Sequence, residues 1–154
     1  AGGELLGDAF LVRGGAAGFR AGPLPGTDPR QSAVLRVEWN GDTLPVHLTR
    51  LGQDPAERAR QVRALLARVE PGRAVVLGDF NAEGSDPELV PLAQAGFRDA
   101  AALADASPDP TFPASDPLRR IDWIWVRDLA VLRWEVLDEH ASDHRPVTAL
   151  LAPR

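Results

Sequence analysis

Three clusters in this sequence carry side chains able to handle protons, cations or phosphate: Asp79 with Asn81, Asp122, and Asp143 with His144. Each lies at an end of an apolar run. Ala74-Val75-Val76-Leu77 stops at Gly78-Asp79-Phe80-Asn81, and so short a continuous apolar run suits a strand covered on both faces. Strand ends of this kind are where layered α/β proteins place ligands. Side-chain alternation then turns Asp79 and Asn81 toward one site and packs Phe80 inward. Gly-Asp alone is a common turn; its place after a buried-looking strand is what argues for more. Asp122 shares a strand face with Ile124 and Val126, where an unpaired carboxylate is costly. It therefore needs a partner, and His144 and Arg120 are the candidates. Asp143 and His144 are adjacent, so both reach one site only if the backbone turns there.

The remaining composition narrows the chemistry. The histidines are His47, His140 and His144, whose spacing does not suit a three-His zinc site. With no cysteine, thiol catalysis, disulfides and Cys-ligated zinc are excluded. No Gly-x-Ser-x-Gly elbow is present. All 17 basic residues are Arg, which excludes a Schiff-base or P-loop lysine. The net charge of −5 argues against a broad basic nucleic-acid coat. It leaves room for a nuclease in which a metal and local arginines hold phosphate. No apolar run approaches the ~20 residues of a membrane helix.

The length of 154 residues fits one domain, 1–154. A strand is expected over Asp8–Arg13, around Ala9-Phe10-Leu11-Val12, followed by an irregular Gly- and Pro-rich loop, Gly14–Arg30. Asn40-Gly41 predicts a hairpin between strands Ser32–Trp39 and Thr43–Arg50. A helix follows, with Asp54 as cap, Pro55 at its first position and Glu57 completing a capping box. It buries Val62, Leu65, Leu66 and Val69, leaves Arg58, Arg60, Arg63 and Arg68 mostly at the surface, and ends at Pro71-Gly72. A second, short helix is expected from Asp86 as cap to Gly96. A proline-rich loop, Leu103–Leu118, precedes strands Arg120–Val126, Val131–Leu137 and Val147–Leu151. Six or seven strands with two helices make an α+β or layered α/β domain.

Taken in order, Val76-Leu77-Gly78-Asp79-Phe80-Asn81-Ala82, Arg120-Ile121-Asp122-Trp123-Ile124 and Ser142-Asp143-His144-Arg145-Pro146-Val147 resemble three motifs of the endonuclease/exonuclease/phosphatase (DNase I-like) superfamily. Thr49-Arg50-Leu51 with Arg58-x-x-Gln61 resembles the family's Thr-His-Leu strand end and following helix. Gly7 to Arg13 resembles a strand near the middle of the family domain. The resemblance implies an α/β/β/α sandwich represented by its later part. An upstream part of the same domain would carry an Asn strand and a metal-binding Glu strand. The chain alone is then expected to have little or no phosphodiesterase activity and a tendency to associate.

The resemblance further implies a divalent-metal-dependent phosphoesterase using Mg²⁺ (or Mn²⁺). Asp79 would orient or deprotonate the attacking water, and Asn81 would bind the water or a phosphate oxygen. Asp143, with Asp79, would stand on the metal side. His144, held by Asp122, would stabilise the phosphoryl oxygens. Arg50 takes the place of the family histidine, with His47 on the opposite face of the same strand. The substrate would be a phosphate ester, with nucleic acid, phospholipid and inositol phosphate all within the family's range. The Gly14–Arg30 and Ser107–Leu118 loops are expected to flank the site, and Arg13, Arg20, Arg119 and Arg120 are candidate phosphate contacts. The alternative is a non-catalytic relative serving as a binding or structural domain.

Overall fold

The Asn40-Gly41 turn adopts the conformation its sequence asks for. Both residues have positive φ, 52° and 78°, as a two-residue turn matched to strand twist requires. It joins β2 (Gln31–Trp39) to β3 (Asp42–Arg50) as an antiparallel pair. The structure, a computed structural model, describes residues 8–154.

The helix α1 (Pro55–Leu66) crosses from β3 to β4 (Ala74–Asp79), which pairs parallel with β3. The Asp54 carboxylate accepts the Glu57 N–H at 2.8 Å, as a cap should. Glu57 does not complete the box. Its carboxylate accepts from the N–H and hydroxyl of Thr27, tying down the preceding loop. The helix ends at Ala67, before Val69. Arg58, expected at the surface, is buried, because Glu88 is there to pair with it. The expected second helix is a single 3-10 turn, Pro87–Leu89, running into α2 (Val90–Gln94) and stopping at Gly96. Asp86 makes no side-chain cap there, because its carboxylate accepts from the Glu83 N–H.

After β5 (Arg98–Asp99) and α3 (Ala100–Leu103) come β6 (Asp122–Arg127), β7 (Leu129–Val136) and β8 (Val147–Pro153). With β1 (Ala16–Pro23) at one edge, the six-stranded sheet has the order β1-β2-β3-β4-β6-β5, and β7 and β8 pair in a second sheet. One core, with Val62, Leu65, Val76, Phe80, Trp123 and Trp125, lies between the large sheet and α1 and α2. The other, with Leu44, Val75, Ile124, Val126 and Trp134, lies between the sheets. The alternation read from the sequence is therefore correct: Trp123 and Trp125 face the helices, and Ile124 and Val126 face the second sheet.

Two expectations fail at the N-terminal end. Ala9–Val12 is not a strand, and Leu11 is almost fully exposed. The strand lies instead within the supposed loop, as β1 (Ala16–Pro23), antiparallel to β2 at the sheet edge. An exposed edge strand is held by ladder hydrogen bonds and needs no apolar pattern. Gly18, at φ 129°, sits where the register slips between Ala16 and Phe19, so the glycine read as loop punctuation marks a bulge. Gly7 lies outside the described residues.

Candidate functional site

Register places the first three residues. Arg50 ends β3, Asp79 ends β4 and Asp122 begins β6; Arg50 is paired with Asp79, and Asp79 with Asp122. Paired residues on neighbouring strands share a face and stand about 5 Å apart. The row continues the face carrying Val75, Leu77, Ile124 and Val126, so it sits at the mouth between the two sheets.

Gly78 makes this close approach possible. Its φ is 135°, and a Cβ there would stand 1.9 Å from the Thr49 carbonyl oxygen on β3. Beyond the strand, Asn81 has a φ of 49°, a left-handed conformation that asparagine tolerates. That turn lets its backbone N–H donate to Asp79 Oδ1 at 2.8 Å. Its Nδ2 donates to the Leu51 carbonyl at 2.9 Å and to Asp79 Oδ2 at 3.2 Å. Both amide hydrogens are thereby used, which leaves Oδ1, an acceptor, for a substrate or water. Phe80 is fully buried in the helix-side core.

The second sheet brings the other two residues. The segment before β8 is held by the proline-rich loop: Ala114 N–H donates to the Asp143 carbonyl at 2.7 Å, and Arg145 N–H to the Thr111 carbonyl at 2.8 Å. The backbone bends through residues 141–144, as a shared site for Asp143 and His144 demands. His144 Nδ1 lies 2.8 Å from Asp122 Oδ2. Asp122 thus has its partner in His144, not Arg120. Arg120 binds Asp99 with its two terminal guanidinium nitrogens, Nη1 and Nη2, and packs over Trp123. A second partner of Asp122, Thr111, was not singled out in the sequence. It is fully buried, and its hydroxyl donates to Asp122 Oδ2 at 2.6 Å. The only signal was a lone threonine among prolines.

Arg50, Asp79, Asn81, Asp143 and His144 line one cavity of about 420 Å³, joined by Phe112 and Arg119. Asp122 stands behind His144, outside the lining. The Phe112 ring lies 4.8 Å from the His144 ring, and Arg119 is paired with Glu83 across the rim. Of the other candidate phosphate contacts, Arg120 is engaged elsewhere, and Arg20 lines a different cavity on the other face of the sheet. Arg13 is exposed and lines neither. The Ser107–Leu118 loop flanks the site as expected. The Gly14–Arg30 stretch does not, because β1 carries it to the sheet edge.

Burial pushes the Asp79 carboxyl above its ordinary range, and the neighbouring Asp122 adds to this. The Asn81 N–H, His144 and Arg50 act against it; Arg50 Nε stands 3.5 Å from Asp79 Oδ2. A desolvated carboxylate that resists ionisation is a stronger base once ionised. His47 is the reverse case. It points away from the cleft and is almost fully buried, and burial lowers its pKa to about 4, with help from Arg36 and Arg127 against Glu70. It is therefore neutral at neutral pH. Its contribution to stability is complete above the unfolded value near 6.5 and is lost as pH falls toward 4, a loss on the order of 3 kcal/mol. Urea denaturation at pH 7 and pH 4 checks this: His47→Leu should remove that share of the acid loss, and an unchanged pH dependence would contradict it.

The site's fit to a divalent cation rests on Asp79 and Asp143. Among the described residues no three His, Cys, Asp or Glu side chains cluster as a closed metal site would need. Two carboxylates facing one polar cavity match Mg²⁺, which keeps several waters and takes few protein ligands.

The sequence matches the endonuclease/exonuclease/phosphatase family model over residues 5–144. No protein of curated function matches it. Among solved structures, a functionally unknown conserved protein from Enterococcus faecalis V583 is 22% identical, with TM-score 0.76 over 91% of this chain and 67% of that one. A mannosyl-6-phosphatase from Bacteroides thetaiotaomicron VPI-5482 is 20% identical, with TM-score 0.70 over 80% of this chain and 57% of that one. D. rerio TDP2, complexed with a single-strand DNA product, is 16% identical, with TM-score 0.73 over 89% of this chain and 68% of that one. The chain thus spans about 57–68% of the length of these three neighbours. The likeness establishes the shared fold: the α+β architecture of DNase I-like domains.

Proposed function

This chain belongs to the endonuclease/exonuclease/phosphatase family, and we propose that its cleft is the phosphoryl-handling site of a divalent-metal-dependent phosphoesterase. The observation that carries this reading is the convergence of Arg50, Asp79, Asn81, Asp143 and His144 on one cavity from three separate stretches of sequence. Relatives of this fold include a mannosyl-6-phosphatase and a protein bound to a DNA product, so the substrate class offered here is a phosphate ester without further choice. No helix among the described residues is long and apolar enough to cross a membrane.

In this reading Asp79 takes the proton of the attacking water, which its desolvated carboxylate suits. Asn81 Oδ1 accepts from that water and fixes its direction. His144 spends Nδ1 on Asp122 and keeps Nε2 for the phosphoryl oxygens. Arg50 adds a positive charge at the rim. Asp79 and Asp143 would hold Mg²⁺ or Mn²⁺, which when bound supplies Lewis-acid polarisation of the phosphoryl group.

Thr111 acts through Asp122 on His144, as a positioning residue. Thr111→Val should lower kcat roughly 10–100-fold with KM little changed. A proportional rise in KM with kcat intact would assign it to substrate binding instead.

The function is tested by hydrolysis of bis-p-nitrophenyl phosphate and of p-nitrophenyl phosphate with Mg²⁺, Mn²⁺ or EDTA. The chain is assayed alone and extended by its upstream coding sequence, where the family resemblance places further ligands. Metal-stimulated turnover in either form supports the reading. Turnover in neither favours the non-catalytic relative.

A further inference from the structure

On the outer face of the large sheet, beyond the end of α1, the strands present a second cavity of about 390 Å³. Register builds its floor: Val34 on β2 pairs with His47 on β3, and Arg36 with Pro45. Arg20, paired with Val34, extends the same face onto β1. The wall opposite is Arg68, just after α1. Its Nη1 donates to Ser32 Oγ at 2.6 Å and to the Gly22 carbonyl at 3.0 Å, and its Nη2 to the Pro23 carbonyl at 2.5 Å. That guanidinium is therefore fixed in place before any ligand arrives.

Arg20, Arg36 and Arg68 face a single carboxylate, Glu70. In a chain of net charge −5 this is a local excess of positive charge within a concave surface. Glu70 pairs with Arg36 but is more than half exposed, so an incoming anion can displace it at little cost. Arg20 has no carboxylate partner among the described residues. Guanidinium forks match phosphate oxygens in geometry as well as charge.

We propose that this cavity is a second anion site, separate from the cleft, which takes a phosphate dianion, free or as a phosphomonoester, between Arg20, Arg36 and Arg68. The apolar floor of Val34 and Pro45 beside the His47 ring has room for the organic part of an ester. The site is independent of the cleft. His47 and Arg50 lie on opposite faces of β3, about 10 Å apart along the strand. The proposal therefore stands whether or not the cleft is catalytic.

His47 reports occupancy. The charged groups facing it are Arg36 from β2, Glu70 from the segment after α1 and Arg127 from β6, with Arg20 at the rim. A bound dianion places negative charge beside the neutral imidazole, and its field and hydrogen bonding move the ring resonances without any change in protonation. With three histidines in the chain, imidazole NMR can separate the two sites. Inorganic phosphate and AMP are titrated into the whole chain at pH 7 in EDTA, which suppresses turnover. A saturable shift of His47, weakened at least about tenfold in Arg20→Glu with unchanged circular dichroism, is the expected result. Tighter binding of AMP assigns the site to an ester, and equal binding assigns it to free phosphate. A shift confined to His144, no saturation of His47 by about 10 mM ligand, or binding unchanged in both Arg20→Glu and Arg36→Ala overturns the proposal.

Discussion

Asp79→Asn is expected to cut kcat for the proposed phosphate-ester hydrolysis, in whichever form of the chain turns over, by roughly 10²–10⁴-fold while raising the melting temperature at pH 7. The two effects share one cause. Asp79 ends β4 with its side chain largely withdrawn from solvent, and burial holds its carboxyl above the ordinary value of 3.8. A carboxyl whose folded pKa is raised takes up a proton more readily when folded than when unfolded. Its charge therefore opposes folding at every pH above the folded value, and the opposition fades as pH falls through that value toward 3.8. Asparagine keeps the acceptor for the Asn81 N–H and removes the charge. The stability gain should be complete at pH 7 and shrink in acid, and the loss of activity should persist at every pH. Melting curves at pH 7 and pH 4, beside initial rates, check both halves. A variant that loses activity because it is less stable at pH 7 would assign Asp79 to the fold and not to the chemistry.

Gly78→Ala should prevent folding or cost at least about 3 kcal/mol, although the substitution adds a single methyl group. Two independent penalties meet there. The φ of 135° lies in a region that residues with a Cβ rarely adopt, and that Cβ would stand 1.9 Å from the Thr49 carbonyl oxygen. The obstructing atom is backbone in the adjacent parallel strand, so no side chain can swing aside. Relief requires β3 and β4 to part, which separates Arg50 from Asp79 and breaks the row that defines the site. Gly72→Ala is the comparison. Gly72 also has a positive φ, 91°, but nothing lies within 4 Å of its Cβ position, so it carries the conformational penalty alone. Equal effects of the two in urea denaturation would show that close strand approach is not what Gly78 provides.

The candidate site was largely legible in the sequence because strand ends with a buried face announce themselves. Asp79-Phe80-Asn81 follows an apolar run, and alternation alone turns Phe80 inward. The demand of Asp122 for a partner followed from its apolar neighbours Ile124 and Val126. The choice between His144 and Arg120 did not follow, because it depends on how the proline-rich loop seats residues 143–145. That seating is made by backbone hydrogen bonds from Ala114 and Arg145, which leave no trace in side-chain pattern. Thr111 escaped for the same reason. At the other end, β1 was hidden because an edge strand in solvent needs hydrogen-bonding partners and not apolar residues. The apolar Ala9–Val12 run misled because apolar character without a neighbouring strand to pair with does not make a strand.

The claim that Asp79, Asp143 and His144 make one site for a metal and a phosphate is tested most directly by adding Mn²⁺ to the chain and following its three histidine resonances. Paramagnetic broadening grows steeply with proximity to the ion. His144 is expected to broaden at the lowest Mn²⁺ concentration, His47 on the opposite face to respond last, and the early loss of His144 to disappear in the Asp79→Ala, Asp143→Ala double variant. Broadening of His144 that is unchanged in that variant, or that never precedes the broadening of His47, would contradict that claim.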